Sequence, residues 1–482
     1  MLKEKTISAV LWSGVDIFFR QAFQFIVTIA LARMLSPEEF GTIALLYIFT
    51  SVASMLVSSG FSAALIQSQK VTYTDECTVF WFNFTMAVIC AIGLWQISPW
   101  VSEFYGKPEL IPLMWVLALN LIISSLSSIH STLLVKRLSF KGQTKVGVIS
   151  AVVSGLIAVG LAWLDFGVWA LAWQSLAAAL ITTALLWKIN KWRPALVFSL
   201  SSFRRLFRFG SFMLMCGLLD VIYNRIYTVL IGKQYGSWEL GIYDRAYGTQ
   251  QLPAGTLTSI LSRVAFPVFS MVADNKQQLI SGVRQAVKGI MFINIPLMLG
   301  VMVTAKSLIP VLFGGQWGAS VPLLQILCLA GVLYPLHAIN VNVLTAQGHS
   351  HLLLRVEVVK KTIGVAIILI ASNYGASGIA WSVALLSVLG LFINAHYTKV
   401  YLGYGVYHQI KDCLPQFTVA SVMAVILYGI GSVLTWSSPW LLLTQVFMGA
   451  LIYFVGCMFF CVKAFQDMRL LLTEQLSRKA KC

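Results

Sequence analysis

The chain has 482 residues, of which 58% are hydrophobic and 11% charged, with a formal charge of +17. A soluble domain carries about 45–50% apolar and about 25% charged residues, so this composition excludes one: there are too few charges to cover a soluble surface. A charge of +17 would suggest nucleic acid in a soluble protein. Here it reads as the Lys and Arg excess of cytoplasmic membrane loops, and no nucleic-acid partner is expected.

A helix needs about 20 mainly apolar residues to cross the hydrocarbon core. In chain order the sequence predicts fourteen such spans, over residues 10–32, 41–66, 78–98, 110–134, 145–164, 166–187 and 209–232, then 240–266, 286–308, 320–345, 356–373, 376–398, 415–436 and 440–462. The first run carries Asp16 and Arg20 and lacks a small-residue cleavage site, so it reads as a spanning helix and not as a cleaved signal. The connections are short, the longest running from Lys188 to Arg208. After Lys463, Met468, Leu470, Leu471, Leu472 and Leu476 suit an amphipathic helix on the membrane surface.

The basic residues test this topology. With the N-terminus inside, 26 of the 34 Lys and Arg fall on inner loops or the inner ends of the spans beside them, and four, Arg33, Lys107, Lys233 and Lys306, on the outer side. One missed helix would invert every later loop, so the split supports fourteen spans with both termini cytoplasmic.

The chain also repeats itself. A shift of 200 residues places Ile26 on Ile226, Thr28 on Thr228, Glu39 on Glu239, Gly41 on Gly241 and Tyr47 on Tyr247, with no gap. Six spans separate the copies, so both have the same orientation and are related by an axis along the membrane normal, as in two-lobed transporters. The expected architecture is all-α and integral to the membrane. It has an N-lobe over 1–200, a C-lobe over 201–408, two further helices over 409–464 and a cytoplasmic tail over 465–482.

A charge at the centre of a spanning helix costs about 2.5–3.5 kcal/mol and usually faces a cavity or a partner. Asp16 and Arg20 are four residues apart and share a face with Gln24. They form either a self-neutralising pair or a cavity-facing element. Asp220 and Asn224 share a face of the seventh span, with Arg225 beside it. In the repeat register Asp220 is equivalent to Arg20, so the two are expected to pair between lobes in one state. Asp244 and Arg245 are adjacent and point about 100° apart, as anchor or as cargo contact. Arg263 lies near a cytoplasmic helix end, where snorkelling is the alternative.

The remaining polar residues have bland readings beside sharper ones. His130, His337 and His396 read as packing residues, with a proton relay as the alternative. Asn294, Asn340 and Asn342 either line a cavity or join helices. Pro253, Pro267, Pro296, Pro310, Pro322 and Pro335 predict bends in helices eight to ten, static or hinged. Trp81, Trp95, Trp100, Trp436 and Trp440 suit an interfacial belt. The eight cysteines contain no C-x-x-C pair, and no metal or disulfide chemistry is expected. No G-x-x-x-x-G-K-[ST] loop occurs, and neither a catalytic residue nor a cofactor is expected.

Specific segments resemble a known family. They are Lys3-Glu4-Lys5-Thr6 before Leu11-Trp12-Ser13, Ala32-Arg33-Met34-Leu35-Ser36-Pro37-Glu38-Glu39-Phe40-Gly41, and Leu240-Gly241-Ile242-Tyr243-Asp244-Arg245-Ala246-Tyr247 with Gln251-Leu252-Pro253. With the six-plus-six-plus-two plan, they are similar to the polysaccharide-export flippases of the multidrug/oligosaccharidyl-lipid/polysaccharide superfamily, in particular to colanic-acid-exporter-type members. The resemblance covers nearly the whole chain.

It implies an undecaprenyl-diphosphate-linked oligosaccharide as cargo, moved from the cytoplasmic to the periplasmic leaflet of a bacterial inner membrane by alternating access. Membrane lipids and the polysaccharide polymerase machinery are the further partners it suggests. Arg stays charged and grips phosphate bidentately, so Arg20, Arg225 and Arg245, with Asp16, Gln24, Asp220 and Asn224, are the expected cavity residues. Asp244 and Arg263 are secondary candidates. For the driving force, a proton, a sodium ion and the cargo gradient alone are the alternatives. A drug or metabolite cation antiporter of the same superfamily is the competing function. A membrane polymerase or ligase is a third, and the absence of a large loop counts against it.

Overall fold

The computed structural model describes residues 21–58, 60–68, 71–137, 139–348, 350–434 and 436–460. Among them the secondary structure is helical: α1 (Gln21–Met34), α2 (Pro37–Ser58), α3 (Phe61–Gln67), α4 (Tyr73–Tyr105), α5 (Leu110–Lys136), α6 (Phe140–Trp163), α7 (Val168–Ile189) and α8 (Leu200–Gln234). Then follow α9 (Gly236–Met271), α10 (Lys276–Phe313), α11 (Ser320–Ala346), α12 (Ser350–Ala371), α13 (Gly375–Leu402), α14 (Val406–Val433) and α15 (Ser438–Phe459).

Every predicted span overlaps one of these helices, the second falling on α2 and α3 together. Eleven segments of the described chain are long and apolar enough to cross a membrane, and one of them, Arg355–Leu402, holds both α12 and α13. Helix α9 falls short of that hydropathy because Glu239, Asp244, Arg245 and a Gly-Thr-Gln-Gln run interrupt it. Asp16, Arg20 and the predicted tail helix lie outside the described residues.

The helix starts are written locally. At α2, Ser36 Oγ accepts from the Glu39 amide at 3.3 Å and the Glu39 carboxylate accepts from the Ser36 amide at 2.6 Å. This is a reciprocal cap followed by Pro37 at the first helical position, where its missing N–H costs nothing. Thr72 and Asp75 do the same for α4, which ends at Gly106 in the left-handed region with φ of 68°. Arg205 of α8 ion-pairs with Asp75 at 2.6 Å, which ties α8 to the start of α4. Helix α10 has 38 residues, a length of about 57 Å at 1.5 Å per residue. That exceeds a hydrocarbon core of about 30 Å, so α10 projects beyond it.

The chain divides into two compact units, meeting between Gly241 and Ile242. In the first, α4 packs on α5, α5 on α7 and α6 on α7, while α2 lies among α4, α5, α7 and α8. The unit takes in α8 because α8 runs along α2, α3 and α4. Its tightest crossing is at glycines: a Cβ on Gly41 would run into the Ser237 carbonyl, and one on Gly241 into the Pro37 carbonyl. In the second unit α10 packs on α11, α14 and α15, α11 on α13, and α12 on α13.

Within a bilayer, apolar side chains gain nothing from leaving lipid for one another, so hydrogen bonds and small residues hold helices together. The prolines show this directly. A helical proline frees the carbonyl four residues earlier. Pro99 frees that of Trp95, which takes the Ser98 hydroxyl at 2.7 Å. Pro296 frees that of Phe292, which takes the Tyr453 hydroxyl of α15 at 2.8 Å. Pro335 frees that of Gly331, which takes the Asn294 Nδ2 of α10 at 3.1 Å. These three carbonyls are re-satisfied, in two cases by a neighbouring helix.

Candidate functional site

The polar interior of the first unit begins on α2. Tyr47, Ser51, Ser54 and Ser58 recur at three- and four-residue spacing and so share one helix face, with Thr50 at its edge. All five line a cavity of about 450 Å³. Helix α5 adds Asn120 and Ser124, four residues apart, α7 adds Ser175, and α8 closes the space with Val221. The volume is in the range of ordinary small-ligand sites.

The hydroxyls are oriented by their own helices. Thr50 donates to the Leu46 carbonyl at 3.2 Å, Ser58 to that of Met55 at 3.0 Å and Ser175 to that of Leu171 at 3.3 Å. Ser124 donates to Asn120 Oδ1 at 3.0 Å. A hydroxyl keeps two acceptor lone pairs after giving its proton, so these side chains present oxygen acceptors to whatever enters.

One cation stands at the edge. Arg225 lies one turn beyond Val221 on α8, half-buried, with its guanidinium carbon 5.3 Å from the centroid of the Tyr47 ring. The ring steadies a charge that would be expensive in a dry bilayer. The arrangement therefore sets a guanidinium against an aromatic ring that lines a hydroxyl-rich void. That combination suits an anionic, hydroxyl-rich ligand.

The other sequence-predicted residues are distributed around and away from this cavity. Asp220 and Asn224 are exposed on α8 beside Arg225, and Gln24 is exposed on α1. Asp16 and Arg20 lie outside the described residues, as does the Arg263 side chain. Arg245 belongs to the second unit, where its guanidinium carbon sits 4.9 Å from the Phe313 centroid and 4.7 Å from that of the fully buried Trp317. Asp244 beside it is half-buried.

The buried amides join helices. Asn294 ties α10 to α11, and Asn340 exchanges hydrogen bonds with Gln409 of α14 and accepts from Thr398 of α13 at 2.7 Å. Asn342 donates to Ser262 of α9 at 3.2 Å. His130 is packed against Trp187 and Trp192, with centroids 5.1 and 5.4 Å away. His337 lies between Ser387 and Asn394, each at 3.2 Å. Outside the spans, Tyr404 donates to Asp412 at 2.9 Å, and burial together with that carboxylate holds its phenol well above the ordinary range. Among the described residues no cluster of His, Cys, Asp or Glu could hold a metal ion.

Reading the sequence for charges overlooked the hydroxyl face of α2. The signal was present as Thr50, Ser54 and Ser58 at i, i+4 and i+8 in an otherwise apolar segment.

Comparison with known proteins bears on what such a site carries. Residues 30–322 match the family described as polysaccharide biosynthesis protein. The chain is similar to the teichuronic acid biosynthesis protein TuaB of Bacillus subtilis, at 26% identity over 89% of each chain. It is also similar to the lipopolysaccharide biosynthesis protein WzxC of Escherichia coli, at 24% identity over 90% of this chain and 89% of that one. In fold it is similar to the lipid II flippase MurJ in an inward closed conformation, with a TM-score of 0.77, 15% identity, and coverage of 95% of this chain and 99% of that one.

Proposed function

Because the chain belongs to the polysaccharide biosynthesis protein family, we propose that it is a flippase. It translocates undecaprenyl-diphosphate-linked oligosaccharide from the cytoplasmic to the periplasmic leaflet by alternating access. It serves the synthesis of an extracellular polysaccharide or lipopolysaccharide. It moves its cargo without covalent change and is a transporter, not an enzyme. The reading places both termini in the cytoplasm and treats the chain as two lobes of six spans plus two C-terminal helices.

The observation that carries the proposal is the hydroxyl-lined cavity of about 450 Å³ with Arg225 at its edge. A diphosphate cannot enter a low-dielectric slab without a counter-charge. Arg225 supplies one that never deprotonates and binds phosphate through two parallel N–H donors. The Ser, Thr and Asn side chains replace the water that sugar hydroxyls lose on entering. Only the head group needs this shelter, since the polyprenyl chain is at home in lipid.

The test uses a strain deleted for the gene, complemented with the wild-type chain or with Arg225→Ala. Loss of surface polymer with build-up of the lipid-linked unit, restored by wild type alone, supports the proposal. Unchanged polymer with altered drug tolerance would transfer the chain to the antiporter reading.

A further inference from the structure

The first unit holds a second void, of about 750 Å³, between α2, α4 and α8. Its character is opposite to that of the hydroxyl-lined cavity. Phe49, Val52 and Leu56 line it from α2, Gly93 and Ile97 from α4, and Val229 from α8. On α2 these residues lie on the face away from Tyr47, Ser51, Ser54 and Ser58, so the helix has a hydroxyl face on one void and an apolar face on the other. Along α4 the groove runs from Cys90 to Phe104, about 21 Å at the helical rise.

One end of the groove is charged. Lys233, exposed on α8, has its ammonium 4.3 Å over the ring of Phe104, a lining residue, and donates to the Phe104 carbonyl. A ring and a carbonyl leave its positive charge in place, whereas nearby Lys107 is ion-paired with Glu38 at 2.6 Å and Glu109 at 3.5 Å. Val221, Arg225, Val229 and Lys233 follow one another at four-residue spacing on α8. The first lines the hydroxyl cavity, the second stands at its edge, the third lines the groove and the last stands at its mouth. The two cations are about 12 Å apart along the helix.

We propose that this groove seats the isoprenoid chain of the carrier lipid, with the carrier's diphosphate held at Lys233. The inference rests on the flippase reading and adds a second station to it: Arg225 serves the head group inside the unit, and Lys233 serves it at the end of α8. Charge complementarity selects an anionic amphiphile. The small residues Ala53, Cys90 and Gly93 in its lining leave room for the methyl branches of an isoprenoid chain.

Gly93 provides the test, because a Cβ there would meet nothing within 4 Å and a larger side chain would occupy the groove that Gly93 lines. The full-length purified protein is examined by native mass spectrometry with undecaprenyl diphosphate, using phosphatidylglycerol as competitor. Gly93→Leu and Lys233→Gln are each expected to lower retention of undecaprenyl diphosphate about tenfold or more, while both variants elute as the wild type does. Gly160→Ala, in open space on α6 and outside both voids, should retain it. Full retention by Gly93→Leu and Lys233→Gln, with loss only in Arg225→Gln, would overturn the groove and leave the flippase reading standing. Displacement by equimolar phosphatidylglycerol would overturn it in favour of a general lipid site. Failure of the wild type to retain undecaprenyl diphosphate at all would overturn both.

Discussion

Gly41 and Gly241 meet backbone to backbone: a Cβ on either would lie 3.0 Å from the other's amide nitrogen, and closer still to a carbonyl of the facing helix. The 200-residue register pairs the same two residues in sequence. The starts of α2 and α9 therefore cross where neither has a side chain. Overpacking a tight contact costs about 1–3 kcal/mol. Gly41→Ala and Gly241→Ala should each lower the thermal midpoint of the purified protein. Gly160→Ala, in open space on α6, should leave it unchanged. Equal midpoints for all three would show that the crossing tolerates a methyl group.

The Asn294 amide and the Gly331 carbonyl form a second close dependence, set up by Pro335. Asn294→Leu strands that carbonyl and should destabilise by about 1–3 kcal/mol. In a Pro335→Ala background the residue at 335 supplies its own N–H to Gly331, so the same substitution should cost less. Denaturation midpoints of the four chains in this cycle measure the coupling. Strict additivity would mean that Asn294 acts only through its bond to the Val332 carbonyl.

Removing the cation tests the electrostatic half of the site. A hydrogen bond to a charged group is worth about 1.5–3 kcal/mol, so Arg225→Ala should weaken binding of the lipid-linked cargo roughly tenfold to a hundredfold. Arg225→Lys should restore only part of this, because a point charge cannot repeat the bidentate geometry. Titration calorimetry in detergent reads both. Wild-type affinity in Arg225→Ala would remove Arg225 from the cargo path.

The hydroxyl bank tests the sugar half. Ser54→Ala and Ser124→Ala remove the hydroxyl acceptors and add no bulk. Each should lower transport of the glycosylated carrier while leaving binding of bare undecaprenyl diphosphate intact. Equal losses on both ligands would mean that the cavity does not read the sugar.

Much of the fold is legible because a bilayer makes local composition decisive. Apolar runs of sufficient length had to be helices, and α2 begins where Ser36, Pro37 and Glu39 say it should. Helix α9 is expected as a span over 240–266, yet Asp244 and Arg245 depress its hydropathy below that of the eleven spanning segments among the described residues. The packing of α8 with the N-terminal helices was not legible, because a repeat register states which helices are equivalent and not which ones touch.

The site was half legible. Arg225 announced itself as a charge in an apolar helix, and so did Arg245, yet in the structure the first edges a hydroxyl-lined cavity and the second stacks on Phe313 and Trp317. Sequence spacing gives the face of a helix and not what that face meets. The hydroxyls of α2 were passed over because Ser and Thr in spanning helices usually bond their own backbone, as Thr50 and Ser58 also do.

Translocation itself can be followed directly. The purified chain is reconstituted into proteoliposomes carrying a fluorescent lipid-linked oligosaccharide on one leaflet, and its appearance on the other is followed by accessibility to a membrane-impermeant quencher. Redistribution is expected with the wild-type chain, and little above the protein-free rate with Arg225→Ala. Redistribution equally fast in both, or none in a wild-type preparation that binds the cargo, would contradict it.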